Sequence, residues 1–470
     1  MKNTATRYLF RTLSLFFFLA FLQSCGGSGG GGSSSPPGIL FYALTEDSGG
    51  HGFIAENAIS PSGQLYPSSP APISTNGTAP VTFVLDPPAS LAFALNSNSS
   101  PSSFKSGSIE SYNTSSAQSA TGIQSVSYIA TGTNLSSMAI DPGGNYLVVA
   151  DHGSGSGSTP GDVEIFQIGS TDTLSILRTI SLTSTCPNPD KIVFPLSGSN
   201  GTSSDIFYVV CSSPELISSS SSPPSPALYQ CPISGTCSKI TLSGLSGSSN
   251  AISNMEFASN GTAFLPGETY TSSSYSAFLI TCTGAQIPSC STLSSVSSRT
   301  GTAPAGDFAI DNATSPPTAF IGNYSTNSSG SISNPGIFFS CTTTSCASSN
   351  LSYSSSGAAT FLATNPGQTN LYIVSTAAPL PTTTSSITNS SSNPGTIFTC
   401  PLPSASSCTS TGTTGSYPVG ITFDPSGKFA FVPTWSGTIS IFQVGANGSL
   451  TPAASPTVTT GSLNLQVVVP

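Results

Sequence analysis

The residues of this chain with types suited to acid–base chemistry are few. There are two histidines, His51 and His152. His152 follows Asp151 in the run Val-Val-Ala-Asp-His-Gly, and His51 comes shortly after Glu46 and Asp47. Glu215 and Glu268 occupy comparable positions further along. A histidine or carboxylate of this kind can activate water, and an arginine can hold an acidic substrate beside it. Past residue 24 the only arginines are Arg178 and Arg299. The catalytic candidates are therefore His51, His152, Glu268 and Arg299. The plainer reading is that all four are polar connection residues on a solvated face, and the sequence favours it. Catalysis needs groups that converge, and convergence is not visible in a one-dimensional pattern.

These side chains have to be positioned by strands. Two segments set the pattern: Met138-Ala-Ile-Asp-Pro-Gly-Gly-Asn-Tyr-Leu-Val-Val-Ala-Asp151 and Gly420-Ile-Thr-Phe-Asp-Pro-Ser-Gly-Lys-Phe-Ala-Phe-Val-Pro433. Each reads as an apolar strand, an Asp-Pro-x-Gly turn and a second apolar strand. A third strand follows in each, Asp162–Ile168 and Gly437–Val444. Pro fixes φ after the Asp, the Asp side chain caps its own turn, and Gly accepts positive φ. Asp86, Asp141 and Asp424 are thus turn residues rather than a repeated acidic site.

Degenerate copies recur. Second strands start near Ile39, Leu91, Tyr146, Ile206, Ala263, Ala319, Leu371 and Phe429. Third strands start near Gly52, Gly107, Asp162, Ala227, Ala277, Gly336, Gly395 and Gly437. A period of roughly 50–60 residues with four short strands is that of propeller blades. The first unit opens on a second strand, Ile39–Leu44, and the chain closes on a lone first strand from Leu463. Joined, they make one blade and remove an unpaired edge. The expectation is an all-β propeller over residues 38–470, with eight blades by count and seven as the alternative.

The Asp-Pro-x-Gly turn, the Phe-Val or Val-Val second strand and the Gly-x-Ile-x-Ile-Phe third strand resemble those of bacterial lactonase-like β-propellers, the 6-phosphogluconolactonase type and related surface-repeat proteins. The resemblance covers nearly all of residues 38–470. It implies the architecture, usually with seven blades, and a lactone hydrolase as one possible activity. No motif carries that family's catalytic residues onto positions of this chain.

Residues 1–37 precede the repeat. Lys2, Arg7 and Arg11 lead an apolar stretch, Leu13 to Leu22, and then Leu22-Gln23-Ser24-Cys25. This is the layout of a secretory signal over residues 1–24, and the stretch is short for a membrane span. The four residues resemble the lipobox of bacterial lipoproteins, which implies cleavage before Cys25 and acylation of its thiol and new amino end. Gly26 is not Asp, which by the same resemblance leans to the outer membrane or cell surface, with the periplasmic side possible. Gly26 to Pro37 is almost pure Gly and Ser, a flexible tether. Its formal matches to a serine-hydrolase elbow and a dinucleotide fingerprint lack the flanking strand and helix those motifs need.

Ten cysteines follow Cys25. Eight form close pairs, Cys231/Cys237, Cys282/Cys290, Cys341/Cys346 and Cys400/Cys408, each bracketing the turn between third and fourth strands. Closing so short a loop is worth roughly 2–2.5 kcal/mol. Cys186 and Cys211 lie in connections that a propeller brings to one face, which predicts a fifth bridge. No Cys-x-x-Cys occurs and histidine is scarce, so disulfides are expected rather than metal.

Six Lys+Arg against eighteen Asp+Glu after residue 24 leave a formal charge of −12. An acidic chain with no basic patch is a poor nucleic-acid binder. Anionic membrane surfaces also repel it, so a lipid rather than charge would hold it there. Ser212 to Pro226, Tyr324 to Pro335 and Thr376 to Pro394 are polar insertions between second and third strands. Trp435 occupies another such connection, either as a sugar platform or partner anchor or as cover for a blade edge. The expectation is a lipid-anchored, extracytoplasmic, monomeric propeller without cofactor. It would act as a non-catalytic interaction or structural module for a protein or glycan partner, with a lactonase-type hydrolase as the alternative.

Overall fold

The computed structural model describes residues 38–66, 71–97, 107–114, 124–132, 134–153, 161–169, 173–182, 186, 188–196, 205–211, 226–243, 245, 250–252, 254–270, 275–283, 289–299, 308–326, 332–349, 358–376, 394–461 and 463–470. The signal, Cys25 and the tether lie outside them, as do residues 212–225 and 377–393 of the polar insertions and Glu215.

The described residues form strands and turns, with no helix. The strands make eight sheets arranged as the blades of a propeller. The expected second strands begin within one residue of the observed ones, for example Ile39–Glu46, Ile206–Cys211, Thr318–Thr326 and Phe429–Pro433. These strands are buried on both faces because each blade is covered by a neighbour on either side. They therefore read as continuous apolar runs rather than alternating ones. Blade 5 departs from the plain form. Its first strand is split into Asn250–Ile252 and Glu256–Phe257, both paired to Ala263–Tyr270. Leu242–Ser243 adds a parallel strand outside Ser289–Arg299.

Blade 1 is built from both ends of the chain. Leu463–Val468 is its innermost strand and pairs antiparallel with Ile39–Glu46, Tyr42 opposite Val468 and Glu46 opposite Leu463. Side chains of this last strand also bind both neighbours. Gln466 Oε1 accepts from the Phe83 amide at 2.9 Å and from Thr82 Oγ1 at 3.2 Å, in blade 2. Asn464, fully buried, donates from Nδ2 to the carbonyls of Thr434 at 3.0 Å and Thr438 at 2.9 Å, in blade 8. Phe41 packs on Phe431 across one seam, ring centroids 4.6 Å apart, and Tyr42 on Phe83 across the other at 5.8 Å.

The Asp-Pro turns behave as their residue types require. Asp141 Oδ1 accepts from the amides of Asn145 and Tyr146, both at 2.6 Å, and Oδ2 from Gly143 at 3.0 Å. Asp86 caps Leu91 at 2.7 Å and Asp424 caps Phe429 at 2.6 Å. Gly144 and Gly427 both take φ of +69°, where a Cβ is disfavoured. In blade 7 Asn365 does the same work, its Oδ1 accepting from Thr369 and Asn370. Neighbouring turns are tied to one another, Ser259 N–H to Asn312 Oδ1 at 2.7 Å and Asn312 N–H to Gln368 Oε1 at 3.0 Å.

Five disulfides join Cys186 to Cys211, Cys231 to Cys237, Cys282 to Cys290, Cys341 to Cys346 and Cys400 to Cys408. Cys282/Cys290 and Cys341/Cys346 are directly opposite in the strand register, so each bridge closes a hairpin of the outer blade.

Asn464 isolates the seam between blades 8 and 1. Asn464→Ala leaves two buried carbonyls with fewer donors, which costs about 1–3 kcal/mol. Thermal or chemical denaturation of the variant against wild type measures it, and an unchanged midpoint would show that the seam does not depend on these bonds.

Candidate functional site

The face that carries the second-to-third connections holds both histidines, but in different settings. In blade 1, Asp47 Oδ1 accepts from the amides of Gly49 and His51, both at 2.8 Å. The His51 ring Nδ1 lies 3.1 Å from Asp47 Oδ2. These bonds, the His51 amide first, hold the Asp47 carboxyl below its ordinary pKa. The His51 side chain is 59% exposed, so the pair is a turn brace in solvent. Glu46, the last residue of its strand, is pushed upward in pKa by partial burial and then by Asp47.

His152 is better placed. Asp151, buried at the end of the second strand of blade 3, accepts at Oδ1 from the amides of Asn134 at 2.9 Å and Gly153 at 2.8 Å. The His152 amide returns a bond to the Asn134 carbonyl at 3.0 Å. The imidazole backbone is thereby clamped to the entry of the first strand, Leu135–Ile140. Its Nε2 lies 3.3 Å from Asp190 Oδ1, without hydrogen-bond alignment. Asp190 belongs to the first strand of blade 4, at a register shift between Pro189 and Lys191. Such a bulge re-aims a side chain out of the ladder. Ser136 Oγ donates to the Pro189 carbonyl at 2.7 Å and fixes that strand against blade 3. On the other side Ser97 Oγ of blade 2 donates to Asn134 Oδ1 at 3.3 Å. Ser97, Asn134, His152 and Asp190 thus form a polar arc across blades 2, 3 and 4.

Acids underlie the arc. Asp162 stands directly across the ladder from Asp151, and Glu164 follows on the same side of its strand. The Thr131 hydroxyl donates to Glu164 Oε2 from blade 2. Asp162 Oδ1 is buried without a hydrogen-bond partner. Burial, then the charges of Asp151 and Glu164, push the Asp162 carboxyl up to about 7. Burial also raises Glu164, against the Thr131 bond. Among the described residues no three His, Cys, Asp or Glu are grouped so as to hold a metal ion.

Two sequence candidates sit elsewhere. Glu268 is inside the second strand of blade 5, opposite Ala251 and Ala277, and is half-buried there rather than in a connection. Arg299 ends the fourth strand of blade 5, opposite Tyr275, and not a connection leading to the channel. The Ser/Thr-rich run before it reads as loop by composition, yet it pairs with Tyr275–Ala277 and so stays on the blade's outer side. Of the expected insertion from Tyr324 to Pro335, residues 324–326 and 332–335 continue the strands of blade 6, and residues 327–331 lie outside the described residues. Trp435 is half-buried in the turn between Phe429–Pro433 and Thr438–Val444, its amide bound to the Tyr417 carbonyl at 2.9 Å. The sequence reading missed Ser97, Asn134, Asp162, Glu164 and Asp190. One signal was present: Asp162 and Glu164 are acids where the copy in blade 8 has Thr438 and Ser440.

Asp162 gives a pH test. Its folded pKa is raised, so the folded chain holds a proton that the unfolded chain has released between about pH 4 and 7. Stability from this group is present at low pH and is lost as pH rises towards 7. Asp162→Asn removes the titration. The variant should melt higher than wild type at pH 8 and close to wild type at pH 5. Equal differences at both pH values would contradict the assignment.

No protein-family model and no curated protein matches the chain. Solved structures do. A Pseudomonas aeruginosa periplasmic gluconolactonase is similar with a TM-score of 0.49 and 13% identity, over 92% of this chain and 99% of that one. A Bacteroides fragilis protein assigned as a 6-phosphogluconolactonase is similar with a TM-score of 0.48 and 12% identity, over 94% and 100%. Sqt1 of Saccharomyces cerevisiae is similar with a TM-score of 0.51 and 12% identity, over 83% and 88%. At these identities the likeness is one of fold, and the chain is an eight-bladed β-propeller whose structural neighbours include proteins named for lactonase activity.

Proposed function

We propose that this chain is a lipid-anchored extracytoplasmic propeller that binds a protein or glycan partner through the face bearing the polar arc, without catalysing a reaction. One observation carries the reading. The two histidines stand in different blades, each beside its own aspartate, while Asp151 accepts from turn amides and Glu164 from the Thr131 hydroxyl of blade 2. Groups used in this way position backbone and present polar atoms. Among the described residues they do not form a nucleophile, a base and an oxyanion site around one reacting atom. The five disulfides support an oxidising compartment outside the cytoplasm. The lipid anchor rests on Leu22-Gln23-Ser24-Cys25.

A second reading has one observation in its favour. His152 Nε2 lies 3.3 Å from Asp190 Oδ1, and a movement that aligned the two would let the carboxylate orient the imidazole as a general base. Water activated there would attack the carbonyl of a lactone, the chemistry named for two structural neighbours. Fold likeness alone does not transfer an activity.

Lactone hydrolysis separates the two. The purified chain, assayed with gluconolactone and 6-phosphogluconolactone, should open the rings no faster than buffer, and His152→Ala should leave that rate unchanged. Turnover above buffer that falls at least about 100-fold in His152→Ala, the loss typical of a general base, would replace the binding reading with the hydrolase.

A further inference from the structure

Five large apolar side chains are exposed among the described residues, and four of them are neighbours in the ring order. Val126 (39% exposed) and Tyr128 (51%) lie on the fourth strand of blade 2, Gln124–Thr131. Ile176 (54%) and Leu177 (47%) lie on the fourth strand of blade 3, Leu174–Ser181. The fifth, Leu196, follows the first strand of blade 4. The two fourth strands share a device. A register shift leaves Val126 unmatched between Ser125 and Ser127, and another leaves Leu177 unmatched between Ile176 and Arg178. Bulges blunt an edge against strand pairing and turn successive side chains outward. This rim is therefore built for apolar contact rather than for adding a strand.

Its charge also differs from that of the whole chain. Gln124–Thr131 contains no Asp, Glu, Lys, Arg or His, and Leu174–Ser181 contains one cation, Arg178. Of the acids opposite these strands, Glu110 across from Tyr128 and Glu164 across from Thr179 are buried, and Asp162, across from Ser181 at the end of the ladder, is half-buried. Three other rims are unlike it. Blade 8 carries Pro452 and Pro456 on its fourth strand, that of blade 7 is Thr, Ser and Gly throughout, and blade 5 is covered by Leu242–Ser243.

We propose that the outer rim of blades 2 and 3, through Val126, Tyr128, Ile176 and Leu177, rests on the bilayer that holds the Cys25 lipid. The inference depends on the lipid-anchor reading above. The tether of twelve residues has an r.m.s. reach of roughly 20 Å. It joins the propeller at Gly38, where blade 1 begins, and blade 2 packs on blade 1 through Phe83 and Tyr42. An anchored domain meets its surface at high effective concentration, so a few side chains suffice to orient it. Tyr128 suits the headgroup level, where one end of the ring is apolar and the other wet. The aliphatic side chains suit the acyl boundary beneath. An acidic chain can approach anionic headgroups along two strands that themselves carry no Asp or Glu, and Arg178 adds attraction there.

The experiment uses the full acylated chain on vesicles of phosphatidylethanolamine and phosphatidylglycerol. Single variants Tyr128→Cys, Leu177→Cys and, on an exposed turn of blade 8, Asn447→Cys carry an environment-sensitive fluorophore. Emission at 128 and 177 should shift to the blue and be quenched by acyl-chain quenchers, with no change at 447. Hydrogen exchange of the unsubstituted chain gives the same readout without a label. Residues 124–131 and 174–181 should exchange more slowly on vesicles than in the unacylated Cys25→Ala chain in solution. A chain that carries fatty acid and floats with vesicles, yet keeps water-like emission at 128 and 177 and unchanged exchange, overturns the rim contact and leaves the anchor standing. A chain without fatty acid on Cys25 that does not float overturns the anchor and the rim contact with it.

Discussion

The pairing of Leu463–Val468 with Ile39–Glu46 is the constraint on which the rest of this molecule depends. Each blade buries its two faces only against its neighbours, so an open array would leave two apolar faces and two strand edges in water. The last strand removes all of these at once. It completes the sheet of blade 1 by its backbone, while Gln466 reaches blade 2 and Asn464 reaches blade 8 by side chain. The seams that result are packed by aromatic pairs, Phe41 on Phe431 and Tyr42 on Phe83. A strand drawn from the far end of the chain is an expensive contact in loop entropy, and it can form only when the intervening blades are in place.

A ring held in this way needs little from charge, and charged residues are 6% of the chain. Several of its carboxylates are committed to backbone. Asp86, Asp141 and Asp424 cap the inner turns, Asp47 and Asp151 the turns of the opposite face. Among the described residues of blades 3 and 4, the imidazole of His152, the bulged Asp190 and Asp162, with an unpartnered oxygen, cap no turn. They gather on blades 3 and 4 because those blades meet there, not because any one segment is rich in acids. Under the binding proposal, a polar surface of Ser, Thr and Asn with these few groups is what a partner would meet. Rate enhancement asks for charge aimed at one developing centre.

The extent to which the sequence foretold this follows from the range of each interaction. Second strands were legible because their apolar runs and Asp-Pro turns are local. The close cysteine pairs were legible because a hairpin brings residues five to eight apart into register. Asn365 escaped notice because the pattern sought Asp, although an amide oxygen caps the same turn. Arg299 was misplaced because Ser and Thr can extend a strand when a partner edge is available, and composition does not reveal the partner. Asp190 and its contact with His152 were not legible at all. They depend on a bulge and on the meeting of two blades, neither of which leaves a local mark. The Thr131 to Glu164 bond is of the same kind, joining residues 33 apart across a seam.

Native-state hydrogen exchange of the folded chain tests the closure most directly. If the ring is one cooperative unit locked by its last strand, the paired amides of Tyr42–Glu46 and Leu463–Val468 exchange only through global unfolding. Their opening free energy then equals that of the central strands, Phe207–Val210 and Leu371–Val374. If Leu463–Val468 exchanges through a smaller, separate opening while the central strands stay protected, the terminal strand is an accessory and the account of the fold is wrong.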